Sequence, residues 1–189
     1  DEVFETIGIR SSVLSYLSPF SAFRHRFPWL VPTLLSGVSC AVLSSLFEST
    51  IAESMVLAFF LTLILGLGES VGIQSLTITI RKLHVEWPTW RWFIKAAKKE
   101  VITSLLLGLC TGSIIAGIIF FWKGTLITGA AVGLSIVLSL LTATFFGLAV
   151  PALLHKTRLD PKVSAGPLVL GLADLFTLFF YFSMAKMIL

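Results

Sequence analysis

Long apolar runs separated by short polar segments dominate the pattern of this chain. A bilayer core about 30 Å thick requires on the order of 20 apolar residues in one helix. Five stretches meet this requirement, with approximate bounds 29–47, 55–80, 101–122, 126–154 and 164–189. The pattern therefore predicts an all-α integral membrane protein with five transmembrane helices per subunit.

Two of the five stretches are longer than a helix perpendicular to the membrane requires, so we expect them to tilt, bend or be interrupted. The second stretch contains the sequence GLGESVG, with glycines at positions 66, 68 and 72. Glycine weakens a helix and permits backbone conformations that other residues avoid. We predict an interruption here, where backbone carbonyl groups would turn toward an ion.

Composition supports a membrane class and sets the orientation. Of all residues 56% are hydrophobic and 13% are charged, against about a quarter charged in soluble domains. Lys and Arg in short loops stay cytoplasmic, and of the 14 here Lys123 and Lys186 alone fall on the opposite side of the predicted spans. We expect a multi-pass protein of the cell membrane, in contact with membrane lipids, with a cytoplasmic N-terminus and an external C-terminus. Topology explains the net charge of +4, so no nucleic-acid partner is predicted.

Residues 1–27 differ from the rest of the chain in their pattern. Their hydrophobic residues recur at helical spacing without forming a spanning run, at positions 3, 4, 7, 13, 14 and 17. We predict that 1–27 is an amphipathic segment at the cytoplasmic interface and that 28–189 is the membrane domain. Cys40 and Cys110 both fall within predicted spans, where packing explains them better than a disulfide or a metal site.

Two carboxyl groups lie deep within the predicted spans. Asp174 is twelve positions from Lys162 and twelve from Lys186, so at 1.5 Å per residue it lies about 18 Å from each flank. Glu69 lies twelve positions before Arg81, which places it at the same depth. Inserting such a residue costs about 2.5 to 3.5 kcal/mol, so a function explains it better than chance. We predict that Asp174 and Glu69 bind a metal ion in one cavity; the alternative is that protonation or hydrogen bonding makes them purely structural.

Small and polar residues accompany both carboxyl groups at helical spacing. On the last span the stripe consists of Gly166, Leu170, Ala173, Thr177 and Tyr181. On the second span it consists of Ser70, Gln74 and Thr77. We expect these stripes to line an ion pathway, whereas the glycines at 108, 112, 129 and 133 are predicted to mark close helix contacts.

Several short motifs occur together in the order and spacing of one known family. They are FES at 47–49, LAF at 57–59, GIQSLTITIR at 72–81, KKE followed by LLLGL, DPKVSAGPLV at 160–169, and the later Asp174. On these motifs the chain resembles the transmembrane domain of MgtE magnesium channels over residues 28–189. It resembles the eukaryotic magnesium solute carriers more distantly.

The resemblance implies a homodimer of five-span subunits, with 28–189 as a divalent-cation transport domain and a Mg²⁺ pathway between the subunits. The pore-lining aspartate of the family corresponds to Asp174. Mg²⁺ gives up its water reluctantly, so a pore with few carboxylates suits it better than a full protein cage. The cytosolic regulatory and nucleotide-binding domains usual in the family are not in these 189 residues.

Three further acids are candidates for ion contacts at the mouths of the pathway. The resemblance implies that Glu100, together with Asp160, holds an ion at the inner mouth. Glu100 also opens the third predicted span, where capping of a helix N-terminus is the other interpretation. Glu48 flanks the first external turn, where it would attract cations to the outer mouth.

The chain departs from the family pattern at the predicted site. Gly68, Glu69 and Ser70 stand where the family typically reads GGN, Gly166 replaces an asparagine, and Leu170 replaces a small residue. The additional carboxylate of Glu69 favours an alternative mechanism, a Na⁺- or H⁺-coupled Mg²⁺ exchanger. Channel-like conduction and coupled exchange both remain open at this point.

Two other classes of protein share parts of this pattern. A structural membrane protein would use the carboxyl groups for helix packing alone. An intramembrane aspartyl protease needs two aspartates that share a proton and typically a GxGD motif, whereas this chain reads GLAD and offers Glu69 as the second acid. The sequence contains no nucleophile and base pair, P-loop or haem motif, so an enzyme is not predicted.

Overall fold

The computed structural model describes residues 18–85, 87, 89–157 and 161–188. All regular secondary structure in this part of the chain is helical. The helices are α1 (Pro19–Leu46), α2 (Glu48–Glu53), α3 (Met55–Leu83), α4 (Trp90–Lys123), α5 (Leu126–Lys156) and α6 (Pro161–Ile188). The predicted all-α class is confirmed.

Four of these helices are long and apolar enough to cross a membrane, namely α3, α4, α5 and the part of α6 from Ala165 to Ile188. The apolar part of α1, Leu30–Leu46, is shorter than these four helices. Four of the five predicted spans thus coincide with helices that are long and apolar enough to cross a membrane, and the number of five spans is not confirmed. Of the predicted N-terminal segment, residues 1–17 lie outside the described residues, and residues 19–27 are continuous with the apolar part of α1.

The start of α4 lies well before the predicted third span. The Thr89 hydroxyl caps this helix by accepting a hydrogen bond from the Trp92 backbone N–H at 3.3 Å. The helix ends at Gly124, whose φ of 69° lies in the left-handed region that favours glycine. The predicted span began at residue 101 because hydropathy identifies only the apolar stretch that fits a bilayer. The helix itself begins earlier, at Trp90, in the polar segment before that stretch. Glu100 consequently lies inside α4, and its interpretation as a helix cap is wrong.

The predicted interruption at residues 66–72 is also wrong, because α3 is one continuous helix from Met55 to Leu83. Two of its glycines serve close packing instead. A methyl group added at Gly68 would lie 3.0 Å from the Thr177 hydroxyl oxygen, and one added at Gly72 would lie 3.6 Å from Val169 Cγ1. The carbonyl groups of this stretch remain in the helix, so the expectation that they turn toward an ion is wrong as well.

Helix α5 occupies the centre of the bundle, where it packs against α3, α4 and α6, while α1 packs on α6. Its contact with α4 depends on glycine. A methyl group added at Gly112 would lie 2.7 Å from the Gly133 carbonyl oxygen, and one added at Gly129 would lie 2.8 Å from the Ala116 carbonyl oxygen. The predicted close helix contacts at these glycines are confirmed.

The apolar core consists of two clusters. The larger one contains Val71 on α3, Leu140 on α5 and Leu178 on α6. The smaller one contains Leu76 and Val169, with Phe146 packed against it. Along α3, α5 and α6, polar or small residues lie between the members of the two clusters and form what we call the layer: Gly72 and Ser75 on α3, Ala143 and Thr144 on α5, and Ala173, Asp174 and Thr177 on α6.

Candidate functional site

The layer between the two clusters contains buried oxygen atoms without hydrogen-bond partners among the described residues. They are Thr144 Oγ1, Asp174 Oδ1 and Thr177 Oγ1, together with Ser139 Oγ nearby on α5. Leaving one such group unpaired costs about 1 to 3 kcal/mol, and more if it is charged. A hydrated cation beside Asp174 would supply what its unpaired oxygen lacks, because the cation attracts oxygen lone pairs directly and donates hydrogen bonds through its water.

Helix α6 positions Asp174 at the boundary of the bundle. Ala173 and Thr177 on either side of it are fully buried, while Asp174 itself is half-buried. The helix periodicity therefore directs one edge of Asp174 into the bundle and leaves the other at its surface. The side chain can interact both with its own subunit and with whatever covers this surface.

Helix α1 reaches α6 within one turn of Asp174. The Ser36 hydroxyl donates a hydrogen bond of 3.0 Å to the Gly171 carbonyl oxygen. A methyl group added at Gly171 would lie 2.8 Å from Ser36 Cβ, so the close approach requires glycine. Cys40, one turn further along α1, lies within Coulombic range of Asp174. The contact keeps α1 beside the candidate site.

Glu69 on α3 is half-buried and lies within Coulombic range of Asp174. The structure thus brings together the two carboxyl groups that the sequence places at one depth. Two like charges inside a helix bundle repel each other, and a cation or a proton between them lowers the free energy. The pair is therefore able to bind a cation or to exchange one for a proton.

The predicted polar stripe on α3 lies mostly at the surface of the single subunit. Ser70 and Gln74 are exposed, and the Gln74 amide donates a hydrogen bond of 3.4 Å to the Ser70 hydroxyl. Thr77 donates a hydrogen bond of 2.8 Å to the Ile73 carbonyl oxygen of its own helix. On α6 the stripe is mixed, because Gly166 and Leu170 are half-buried and Ala173 is fully buried.

The three acids predicted at the mouths of the pathway have different positions. Glu48 is exposed at the first residue of α2. Asp160 lies outside the described residues. Glu100 is buried, accepts a hydrogen bond of 3.2 Å from the Ser75 hydroxyl, and lies 3.7 Å from Lys82 Nζ. Glu100 therefore links α4 to α3 through a buried charge contact.

We expect Lys82→Gln to destabilise the protein, because Glu100, with 10% of its side chain exposed, would keep only Ser75 as a partner. An uncompensated buried charge costs about 1 to 3 kcal/mol, and the partial exposure of Lys82 places the effect at the lower end. Thermal unfolding in detergent measures this loss. Lys98→Gln removes an exposed charge from α4 and is the control. Equal stability of both variants would mean that Ser75 alone satisfies Glu100.

A resident metal centre with a full set of protein ligands is not found in the described residues, where no group of three or more His, Cys, Asp and Glu side chains is suitably placed. Asp174 and Glu69 with nearby hydroxyl groups form a sparser set of oxygen donors. Such a set fits a hard cation that keeps part of its hydration shell in passage.

The sequence did not identify Thr144 as part of this layer. It lies two positions after Thr142, whose hydroxyl donates a hydrogen bond of 2.7 Å to the Leu138 carbonyl oxygen. Threonine in membrane helices commonly bonds to its own backbone in this way. The sequence contains no signal that separates the two threonines, because their difference depends on which neighbouring helix each face of α5 meets.

Comparison with known proteins shows that the sequence of this chain is similar to one family of transporters. A family model described as MgtE, divalent cation transporter, matches residues 61–184. A protein of Enterococcus faecalis named magnesium transporter MgtE is 34% identical over 170 residues, which cover 90% of this chain and 38% of that protein.

Two further relatives carry the same name. The protein of Bacillus subtilis is 30% identical over 186 residues, covering 98% of this chain and 41% of the relative. The protein of Thermus thermophilus is 32% identical over 183 residues, covering 97% of this chain and 40% of the relative. The chain thus spans about two fifths of the length of these relatives.

Proposed function

Because the chain belongs to the MgtE family of divalent cation transporters, we propose that it transports divalent cations, above all Mg²⁺, across the membrane. The observation that carries this proposal is the buried, unpaired Oδ1 of Asp174, which lies within Coulombic range of the Glu69 carboxyl group. A passing cation offsets the cost of holding these groups between two apolar clusters. In this proposal Asp174 is the principal ion contact.

The pathway is proposed to lie at the interface of a homodimer. Ser70 and Gln74 support this arrangement, since both are exposed on a membrane helix where lipid offers polar groups no partner. A second subunit on this face would cover them and would bring a second Asp174 toward the first. The mass of the protein in a lipid nanodisc tests this arrangement, because a dimer has twice the 20.6 kDa of one chain. A monomeric mass with full transport would contradict it.

The proposed orientation has the N-terminus in the cytoplasm, which puts the ends of α3 and α5 and the start of α4 on the cytoplasmic side. Asp160 is then the remaining candidate for an inner-mouth contact, since Glu100 is engaged by Lys82 and Ser75. Glu48 is proposed to attract cations to the outer mouth.

Accessibility of Lys123 to an impermeant amine reagent from outside intact cells tests the proposed orientation, with the N-terminus in the cytoplasm. Labelling of Lys123 only after the membrane is opened would reverse this orientation.

Coupled exchange is the second candidate mechanism, because Glu69 lies within Coulombic range of Asp174. Two carboxylates can share a divalent cation in one state and hold Na⁺ or H⁺ in another. A conducting pore, by contrast, needs no opposing gradient. The two mechanisms therefore differ in which gradients drive Mg²⁺ movement.

Proteoliposomes loaded with a Mg²⁺-sensitive dye distinguish the mechanisms. For a conducting pore we expect Mg²⁺ entry that follows its own electrochemical gradient, with Na⁺ and H⁺ gradients changing the rate by less than about twofold once the membrane potential is clamped. For an exchanger we expect entry to require the opposing gradient and to lose that dependence in Glu69→Gln. The absence of Mg²⁺ entry under every gradient would contradict the proposed function.

A further inference from the structure

A cavity of about 480 Å³ lies between the C-terminal end of α3 and the first turns of α4, away from the candidate ion site. The described residues that line it are Arg81, Lys82, Val85, Trp92, Lys95, Ala96 and Lys99. Four of these seven side chains are cationic and none is acidic. These described lining residues repel a cation such as Mg²⁺.

The positive charge of the cavity is only partly compensated. Lys82 contacts Glu100 at 3.7 Å. Among the described residues, Arg81, Lys95 and Lys99 form no salt bridge. Like charges around one cavity repel each other, and an anion in the cavity would remove this repulsion. The lining therefore indicates a ligand that carries at least one negative charge.

The position of the cavity indicates that this ligand is also partly apolar. The cavity lies at the ends of two helices that are apolar enough to span a membrane, where headgroups of lipids are found. Around it the surface carries exposed apolar side chains, with Val85 85% exposed, Trp90 76% exposed and Ile94 52% exposed. Exposed tryptophan at such a level is typical of the membrane interface. An amphiphile would place its charged group in the cavity and its chains along this surface.

We propose that the cavity binds the phosphate-bearing headgroup of an anionic phospholipid from the leaflet at which α3 ends and α4 begins. Arg81, Lys95 and Lys99 contact the phosphate, and Trp92 covers it. Basic pockets between membrane helices on the cytoplasmic side are suited to such headgroups. This proposal requires that the chain spans a membrane, but it does not require that the chain transports Mg²⁺. The lipid site and the transport function can therefore be disproved separately.

The test measures lipid binding by native mass spectrometry of the purified protein with dioleoyl phosphatidylglycerol or dioleoyl phosphatidylcholine. We expect the wild type to prefer the anionic lipid. The double variant Lys95→Gln/Lys99→Gln is expected to lose about thirtyfold in affinity for it, which is about 2 kcal/mol at 1.4 kcal/mol per tenfold change. Both lysines are exposed, so the variant should keep its fold and its elution volume in detergent.

The matched control is Arg91→Gln/Lys98→Gln, which removes two exposed charges from the same helix but from outside the cavity. We expect this variant to keep the wild-type preference. Equal losses in the two double variants would overturn the proposal, because they would indicate general attraction to a basic surface. Displacement of the lipid by an equal concentration of soluble glycerol phosphate would overturn the lipid assignment and leave a free phosphate compound as the ligand.

Discussion

Replacing Asp174 with asparagine is expected to lower Mg²⁺ flux in proteoliposomes by about a hundredfold or more. Removing one partner from a buried charge interaction costs about 3 to 5 kcal/mol, and every 1.4 kcal/mol is a factor of ten. Asparagine keeps the shape of the side chain but cannot supply the negative charge that attracts the cation. Asp174→Glu keeps the charge and is expected to retain part of the flux.

Stability measurements separate this role from a structural one. We expect Mg²⁺ to raise the unfolding temperature of the wild type and not that of Asp174→Asn, since a ligand stabilises the state it binds. Without Mg²⁺ the variant should be at least as stable as the wild type, because it loses the repulsion from Glu69. Thr111→Ala is the control for flux, as its hydroxyl bonds within its own helix to the Leu107 carbonyl oxygen. Unchanged flux in Asp174→Asn would mean that Asp174 is structural.

Gly112→Ala is expected to destabilise the protein by about 1 to 3 kcal/mol, the usual cost of overpacking a tightly packed contact. The added methyl group would lie 2.7 Å from the Gly133 carbonyl oxygen and 3.3 Å from the Gly133 carbonyl carbon. Both are backbone atoms, so α4 and α5 would have to move apart to make room. Unfolding in detergent, followed by heat or by added denaturant, measures the loss.

Gly117→Ala on the same helix is the matched control. Nothing lies within 4 Å of a methyl group added there, and alanine favours a helix over glycine by up to about 1 kcal/mol. We therefore expect this variant to be as stable as the wild type or more stable. If the two substitutions had the same effect, the close contact between α4 and α5 would be contradicted.

Much of the fold was predictable from the lengths of the apolar runs, because a helix must be long enough to match the thickness of the bilayer. The length of a run is a property of one segment and does not depend on its neighbours. The same arithmetic placed Asp174 and Glu69 at one depth, and the structure brings them within Coulombic range. The motifs between residues 47 and 174 indicated the family to which the match over 61–184 assigns the chain. None of these inferences required knowledge of which helices touch.

The incorrect predictions share a cause, which is that a residue type does not reveal its neighbours. A glycine in an apolar stretch looks the same whether it breaks a helix or admits another helix, and Gly68 and Gly72 do the latter. Likewise, a carboxylate at the start of an apolar stretch resembles a cap. Glu100 is instead inside α4, because the helix begins at Trp90.

The sequence by itself thus determined the membrane class and the helices that are apolar enough to span, and it predicted one depth for the two carboxyl groups, since hydropathy and helical rise act along one segment at a time. The tertiary structure alone decided which oxygen atoms remain unpaired, that Glu100 is engaged by Ser75 and Lys82, and that four cations line one cavity. Those features depend on which faces of separate helices meet. Such faces meet by packing between segments that are far apart in the chain. The hydrogen bond from Ser36 on α1 to Gly171 on α6 is an example.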